Sequence, residues 1–370
     1  MEVLEGASSG ERFLMGKAAS ANVPINGSME LLPLCNMNCD MCYVRLSRTE
    51  MERQGRLRRA EEWLELGKQM KESGVLFLLL TGGEPLLFPD FKWLYLELKK
   101  LGFILTINTN GTLIDEEWAA FFGMHKPRRI NITLYGTNEE TYAELCHYPG
   151  GFSKVIRGVQ LLKEQGVDVK LAGSITKANV DEMDRLAEIG NELDVPMHMD
   201  TYMMAATRER ELPFNVQSRM DPVTAGRATI KALKYSMTPN FFCQYIKQTL
   251  ERVNENRGDA IPKGMTCYAG RCSFTINWQG QMRPCVVMTE PAVNVFEEGF
   301  AAAWKQVNEA CSRILLNGKC SACRLRCLCR ICAAGALLET GDYMGVPEYL
   351  CKFAKASFEA VQEEAKELGL

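Results

Sequence analysis

Three cysteines stand close together in Leu34-Cys35-Asn36-Met37-Asn38-Cys39-Asp40-Met41-Cys42-Tyr43, at C-x3-C-x2-C spacing. A short irregular loop can aim three thiolates at three corners of one 4Fe–4S cubane, leaving a fourth iron open to a substrate or cofactor. Zinc held by the same thiolates plus a distant ligand is the competing reading, although zinc sites more often use paired C-x2-4-C spacing. The next stretch that could do chemistry is Thr81-Gly82-Gly83-Glu84-Pro85, which closes the apolar run Leu78-Leu79-Leu80. Glycine there permits close backbone approach to a ligand. Glu84 could receive a ligand ammonium, and Pro85 brings no N–H. An ordinary strand-to-helix turn would use the same residues; the pairing with the cysteine loop is what points to a site.

A second cysteine field fills the last third: Cys267, Cys272 and Cys285, then Cys320, Cys323, Cys327, Cys329 and Cys332, and finally Cys351. The chain has 15 cysteines against 3 histidines. Such a thiolate-dominated donor set favours iron–sulfur clusters or structural zinc over His-based oxygen or hydrolytic sites. Cys146, Cys243 and Cys311 fall in helical segments, where core packing is the default for cysteine. Cys146 and His147 are adjacent and do not face each other on a helix, and His125 and His198 have no partner pattern.

The elements that must position these residues alternate. Six strand-like segments, Ser28–Leu34, Val75–Thr81, Phe103–Thr109, Arg129–Gly136, Asp168–Ile175 and Pro196–Tyr202, are separated by helical stretches such as Ala60–Glu72, Phe91–Leu101, Glu116–Phe122, Ser153–Gln165 and Val180–Leu193. Repeated βα units imply a parallel sheet with right-handed crossovers, either doubly wound or an open partial barrel, with the site at the C-terminal strand ends. Residues at those ends are Asn108-Thr109-Asn110-Gly111-Thr112, Thr133 and Tyr135, and Ser174. Met203–Pro222, with Arg208, Arg210 and Pro213, reads as a linker. Helices are expected over Val223–Met237 and Phe241–Asn256, a hairpin over Ser273–Pro284 turning at Trp278-Gln279-Gly280, and a terminal helix over Cys351–Leu370.

The 370 residues carry a net charge of −3, with 46% hydrophobic and 24% charged residues. That balance gives no support to a nucleic-acid binder driven by positive charge. The longest purely aliphatic/aromatic run, Val75–Leu80, is far too short for a membrane span of about 20 residues. Glu2, Glu5, Glu11, Arg12 and Lys17 leave no apolar secretory segment at the start, so a cytoplasmic location with reduced thiols is expected. The basic run Arg45, Arg48, Arg53, Arg56, Arg58 and Arg59 is interleaved with Glu50 and Glu52, as a solvated face would be. The sharper alternative is a mouth attracting an acidic substrate or an electron-donor protein.

With the cysteine triad and the Gly82–Pro85 loop in place, the sequence resembles the radical S-adenosylmethionine (SAM) superfamily over residues 28–205. The resemblance implies an α/β fold, a partial (β/α)6 barrel. Cys35, Cys39 and Cys42 would hold a 4Fe–4S cluster, with SAM chelating the fourth iron and cleaved reductively to a hydrogen-abstracting 5′-deoxyadenosyl radical. Gly82, Gly83, Glu84 and Pro85 match the family's GGEP motif, which contacts the SAM amino group. The family often has an aromatic residue just before the third cysteine; here Met41 stands there and Tyr43 follows. Further SAM contacts are expected at Tyr43, Asn110, Thr133 and Ser174. Arg157, in Gly151-Phe152-Ser153-Lys154-Val155-Ile156-Arg157, lies in a stretch similar to one that carries a SAM-binding arginine in relatives.

The second cysteine field resembles the SPASM auxiliary-cluster domain, C-x9–15-G-x4-C, C-x2-C-x5-C-x3-C and C, except that Cys329 and Cys332 are two residues apart instead of three. Carried over, the pattern gives two auxiliary 4Fe–4S clusters. One would be held by Cys267, Cys272, Cys285 and Cys332. The other would be held by Cys320, Cys323, Cys329 and Cys351, with Cys327 surplus and the choice between Cys327 and Cys329 open. Structural zinc is the alternative. The expected organisation is an amino-terminal arm (1–27), the barrel (28–210), a helical bridge (211–262) and a small Cys-rich α+β SPASM domain ending in a helix (263–370). The resemblance implies an enzyme that modifies a peptide or protein, by crosslinking or epimerisation. A flavodoxin- or ferredoxin-type electron donor is expected, with the leader-peptide-binding unit a separate protein or the substrate not a leader peptide. Sulfatase maturation is disfavoured because Val286 and Val287, not an acid, follow Cys285. Small-molecule chemistry, in tetrapyrrole or cofactor assembly, is the other alternative.

Overall fold

The computed structural model describes residues 9–205, 208, 210, 218–255 and 259–370. Glu2 and Glu5 of the amino-terminal arm, Pro213 of the linker and Asn256 lie outside the described residues. Six parallel strands follow one another across a sheet: β1 (Asn26–Glu30), β2 (Phe77–Thr81), β3 (Ile104–Thr109), β4 (Arg129–Thr133), β5 (Val169–Ser174) and β6 (Met197–Asp200). The helices between them are α2 (Arg48–Gln54), α3 (Ala60–Glu72), α4 (Phe91–Lys100), α5 (Glu116–Met124), α6 (Glu139–Cys146), α7 (Gly151–Glu164) and α8 (Met183–Glu192). Side chains cap the starts of α5 and α6: Asp115 accepts from Trp118 N–H, and Asn138 from Thr141 N–H.

One face of each strand packs on the helices. Leu78, Leu80, Leu105, Ile107, Ile130, Ile132 and Leu171 are essentially buried there, each contributing roughly 1.5–3 kcal/mol. The other face carries polar residues, among them Thr106, Asn108 and Asn131, which line a cavity. The register sets Glu30 beside Thr81, Thr133 beside Ala172 and Ser174 beside Asp200, so the strands' C-terminal ends share one rim.

β6 does not pair back to β1, so the six strands form an open arc. The free edge of β1 is taken by a hairpin from the Cys-rich region. β8 (Ser273–Ile276) lies parallel to β1, and β9 (Gln281–Arg283) and β10 (Val293–Asn294) follow it, giving nine strands in the order β10-β9-β8-β1-β2-β3-β4-β5-β6. A separate short pair joins β7 (Lys263–Gly264) to β11 (Leu315–Leu316). Gly27 makes the β1–β8 junction possible: a Cβ there would stand 2.2 Å from the Phe274 ring. The expected first strand, Ser28–Leu34, stops at Glu30 because the chain turns into the cysteine loop.

The amino-terminal arm is more ordered than expected. Ser9–Ala21 is a helix, α1, whose Ala18 and Ala19 pack with Ile25 and Cys272. The bridge helices run over Pro222–Ser236 and Pro239–Asn254, close to expectation. The first packs along the terminal helix Glu348–Glu367, so tightly at Gly226 that a Cβ would meet Phe353 O at 2.4 Å. One hydrophobic cluster runs continuously from barrel residues such as Met29 to Cys-rich-region residues such as Phe353. Among the described residues, no helix is long and apolar enough to cross a membrane.

Candidate active site and cysteine clusters

The loop after β1 is pinned from several sides. Leu46 N–H donates to Pro33 O at 3.0 Å and closes it. Asn38 and Asp40 N–H donate to Cys146 O and Leu145 O, both at 3.0 Å, on the last turn of α6. His147 Nε2 lies 2.7 Å from Asp40 Oδ1. From beyond β6, Arg210 Nη1 donates to Cys39 O and Cys42 O at 3.0 and 2.8 Å.

Each thiol of the triad faces donors. Met37 N–H and Asn110 Nδ2 lie 3.4 and 3.6 Å from Cys35 Sγ, and Arg45 N–H lies 3.3 Å from Cys42 Sγ. Cys39 meets the Cys146 thiol and the Tyr135 hydroxyl. Burial pushes the Cys35 and Cys42 thiols up; the Cys146 contact and then burial do the same for Cys39. Such thiols hold their protons until a cation replaces them, so cluster binding must release protons.

A cavity of about 230 Å³ opens at the strand ends in front of the triad. It is lined by Cys35, Cys39, Cys42 and Tyr43 from the loop, Gly82 and Gly83 after β2, Asn108 and Asn110 at β3, Thr133 and Tyr135 at β4, and Ser174 at β5. The structure thus brings together most of the residues expected from the sequence. Asn110 is fixed by a polar chain: its Nδ2 donates to Asn36 Oδ1 at 2.9 Å, and Asn36 Nδ2 donates to Thr112 Oγ1 at 2.8 Å. An all-sulfur triad with N–H and O–H donors on its thiols, in front of an open cavity, fits a 4Fe–4S cluster and its ligand.

Three expectations change. The two glycines face backbone as well as cavity: a Cβ on Gly83 would stand 2.2 Å from Leu34 O, and one on Gly82 (φ +148°) 2.5 Å from Leu32 O. They let the β2 loop lie flat on the cysteine loop, where Gly83 N–H reaches Leu32 O at 2.6 Å. Glu84 points away from the cavity instead of toward an ammonium. It is fully buried, accepting from Thr109 Oγ1 (2.8 Å), Asn110 N–H (2.8 Å) and Leu86 N–H (3.1 Å), and burial raises its carboxyl to about 7. Pro85 starts the short helical turn behind it and is buried. Arg157 is not in the site at all. It lies on the outer face of α7, two-thirds exposed, paired with Glu116 of α5. Its neighbours Val155 and Val159 take the inward face of that helix.

Asn36, Arg208 and Arg210 were not legible as site residues. The Arg208 side chain is fully buried and grips Glu30, at the end of β1, through two bonds of 2.7 and 2.5 Å, with its guanidinium 5.2 Å from the Tyr43 ring centroid. Only the lack of helical periodicity around two arginines hinted that this linker served a purpose.

In the Cys-rich region the thiols fall into two groups. Cys320, Cys323, Cys329 and Cys351 lie within electrostatic reach of one another, and burial followed by these neighbours raises Cys320, Cys329 and Cys351. Cys327 turns the other way, into an apolar cluster with Phe242, Tyr245 and Leu328. The other group joins Cys267, Cys285 and Cys332. Cys332 Sγ accepts from Gly335 N–H at 3.3 Å, at the start of the helix Ala333–Thr340. Cys272 belongs to this group by sequence, yet its Sγ is directed at Met15 O, 3.6 Å away. Cys311 is in the core, as expected, and also lies in reach of Cys267 and Cys285.

Among the described residues the buried Tyr202 hydroxyl has no hydrogen-bond partner, and it and Cys332 Sγ both stand 3.7 Å from where a Cβ on Gly335 would be. A donor orphaned beside a thiol group fits a sulfur-rich acceptor between them. Among the described residues, no three His, Cys, Asp or Glu side chains converge closely enough for a single metal ion. Thiolates that each bind a different iron of a cluster stand further apart.

A family profile described as the radical SAM superfamily matches residues 29–189. An AdoMet-dependent heme synthase from Methanosarcina barkeri (strain Fusaro / DSM 804) is 26% identical over 346 residues, covering 90% of this chain and 97% of that one. The antilisterial bacteriocin subtilosin biosynthesis protein AlbA of Bacillus subtilis (strain 168) is 23% identical over 75% of this chain and 59% of its own. Among solved structures, Streptococcus suis SuiB bound to its precursor peptide SuiA shares the fold, with a TM-score of 0.68 at 18% identity over 92% of this chain and 80% of that one. With the triad, the glycine loop and the open parallel arc in place, residues 29–189 of this chain carry a radical SAM domain, and the chain is an enzyme.

Proposed function

We propose that the enzyme abstracts a hydrogen atom from a peptide substrate and that two auxiliary clusters stand behind the reaction. The observation that carries the reading is the cavity at the strand ends, where three thiols meet Gly82, Gly83, Asn110, Thr133, Tyr135 and Ser174. Cys35, Cys39 and Cys42 would hold a 4Fe–4S cluster. When bound, that cluster and SAM supply reductive cleavage of a sulfonium and, with it, a hydrogen-abstracting radical.

The chain's own residues bind, orient and exclude. Asn110 holds Cys35 in place and fronts the cavity; Thr133 and Ser174 present hydroxyls to it from neighbouring strands. Tyr135 covers Cys39, and Arg210 fixes the carbonyls of the loop. Cys320, Cys323, Cys329 and Cys351 would hold one auxiliary cluster, and Cys267, Cys285 and Cys332 would contribute to the other. Full thiolate ligation suits electron transfer, because it leaves no open iron.

The peptide class is supported by two proteins whose names concern peptides: SuiB, which has its precursor peptide bound in a structure of this fold, and AlbA, a bacteriocin biosynthesis protein. A second reading, chemistry on an iron tetrapyrrole, is favoured by the near full-length match to the heme synthase. The deciding experiment uses anaerobically reconstituted protein with dithionite and SAM. 5′-Deoxyadenosine is followed with SuiA and with any short peptide encoded beside this gene, and separately with iron–coproporphyrin. Peptide-stimulated cleavage with a mass change in the peptide supports the proposal. Stimulation and conversion with the porphyrin alone replaces it with the second reading.

A further inference from the structure

We infer that Cys311, not Cys272, closes the first auxiliary site as its fourth thiolate. The inference rests on the reading of Cys267, Cys285 and Cys332 as cluster ligands. Five thiols surround this site, and a fully ligated cubane takes four.

Cys272 is committed elsewhere. It is fully buried, its Sγ is directed at Met15 O at 3.6 Å, and it packs with Ala18, Ala19 and Ile25 beneath α1. Its carbonyl accepts from Asn26 N–H at 3.1 Å, where the turn joins β1. Among the other four thiols, Cys267 is the one that acts on it electrostatically.

Cys311 is placed by a different device. The helix Phe300–Ser312 is docked on the turn that follows Cys267 and carries Cys272, since Asn308 Nδ2 donates to Gly270 O at 2.7 Å. One turn further on, Cys311 Sγ lies against Gly270 itself, 2.4 Å from where a Cβ would be. Gly270 has φ +67°, so glycine both makes this turn and leaves room for the sulfur. Cys311 is thereby in reach of Cys267 and Cys285 together, and Tyr343 borders Cys311 and Cys285. The Cys311 side chain is buried among these neighbours. Sequence spacing hid it, because a helix and not a cysteine-rich loop delivers it.

The test uses the full chain with Cys35, Cys39 and Cys42 replaced by alanine, so that iron reports only the auxiliary sites. After anaerobic reconstitution this parent is expected to hold about 8 iron. Adding Cys311→Ala should lower that to about 4, or leave a 3Fe–4S signal in the EPR spectrum. Adding Cys272→Ala should leave both iron and spectrum unchanged. A parent without iron would reject the auxiliary-cluster reading itself. A parent with its full iron, and with Cys311→Ala equally full or Cys272→Ala depleted, overturns this inference alone. Should Cys311→Ala lose its circular dichroism, Cys311→Ser decides: lost iron or shifted g values support the assignment, and an unchanged spectrum overturns it.

Discussion

Arg210 Nη1 donates to the Cys42 carbonyl at 2.8 Å across 168 residues of sequence, and to the Cys39 carbonyl at 3.0 Å. Two positions earlier, Arg208 pairs with Glu30 at the end of β1. The six-stranded arc is open between β6 and β1. These two arginines cross that gap and tie the end of the barrel to the loop that starts its chemistry. The positive charge of Arg210 also lowers the Cys42 thiol, against the upward push of burial.

Arg210→Ala should therefore loosen the loop without unfolding the barrel. A hydrogen bond from a charged donor contributes about 1.5–3 kcal/mol, and two carbonyls lose theirs at once. We expect cluster bleaching in air to quicken by about tenfold, the equivalent of 1.4 kcal/mol, followed by visible absorbance and iron content. Arg210→Lys should fall between, since an ammonium keeps the charge but not the planar fork. Parent-like bleaching in the alanine variant would mean that the carbonyl contacts are idle.

The barrel and the triad were legible because they are local. Strands read as Val75–Thr81 and Phe103–Thr109 differ from β2 and β3 by one or two residues at one end. The Cys35–Cys42 spacing needs no distant partner. What was missed depends on contacts far apart in sequence. Nothing around Arg210 indicates that it folds back on Cys39. The GGEP stretch identifies a loop, but not that Glu84 points inward to Thr109. Arg157 was the avoidable error: Val155, Val159 and Leu162 already mark the buried stripe of α7, and Arg157 lies off it.

The glycine loop separates two kinds of glycine. Gly83→Ala would force a Cβ to 2.2 Å from Leu34 O, a backbone atom that cannot turn aside. We expect loss of the cluster and destabilisation by about 3 kcal/mol or more, the upper range for overpacking. Gly16→Ala, in α1 with nothing within 4 Å, should instead stabilise by up to about 1 kcal/mol through helix propensity. Thermal melts of the two variants beside the parent give the comparison. Equal behaviour would refute the close approach of the two loops.

The second auxiliary site distinguishes Cys329 from Cys327 by direction. Cys329 is raised to about 11 by burial and lies near Cys320 and Cys351, while Cys327 packs with Phe242 and Tyr245. Cys329→Ala should remove about 4 of about 12 iron per chain, and Cys327→Ala should remove none. Iron analysis after reconstitution measures both. The reverse pattern would show that the shortened spacing before Cys332 had shifted the ligand by two residues.

Glu84 makes stability depend on pH. Burial raises its carboxyl from 4.5 to about 7, so the folded chain holds a proton that the unfolded chain has released. A group raised in this way contributes its full stabilisation below 4.5 and loses it as pH rises through 7. The difference amounts to about 3 kcal/mol by pH 8.5. Glu84→Gln removes the titration. With its oxygen toward Thr109 and Leu86 it keeps those two bonds, but its NH2 then faces Asn110 N–H, at a cost of about 1–3 kcal/mol. The variant should be less stable at pH 5.5, yet lose less between pH 5.5 and 8.5. Denaturant melts of both reconstituted proteins at the two pH values measure this, since any acid lability of the clusters is common to both and drops out of the comparison. Parallel pH dependences for parent and variant would place the titrating group elsewhere.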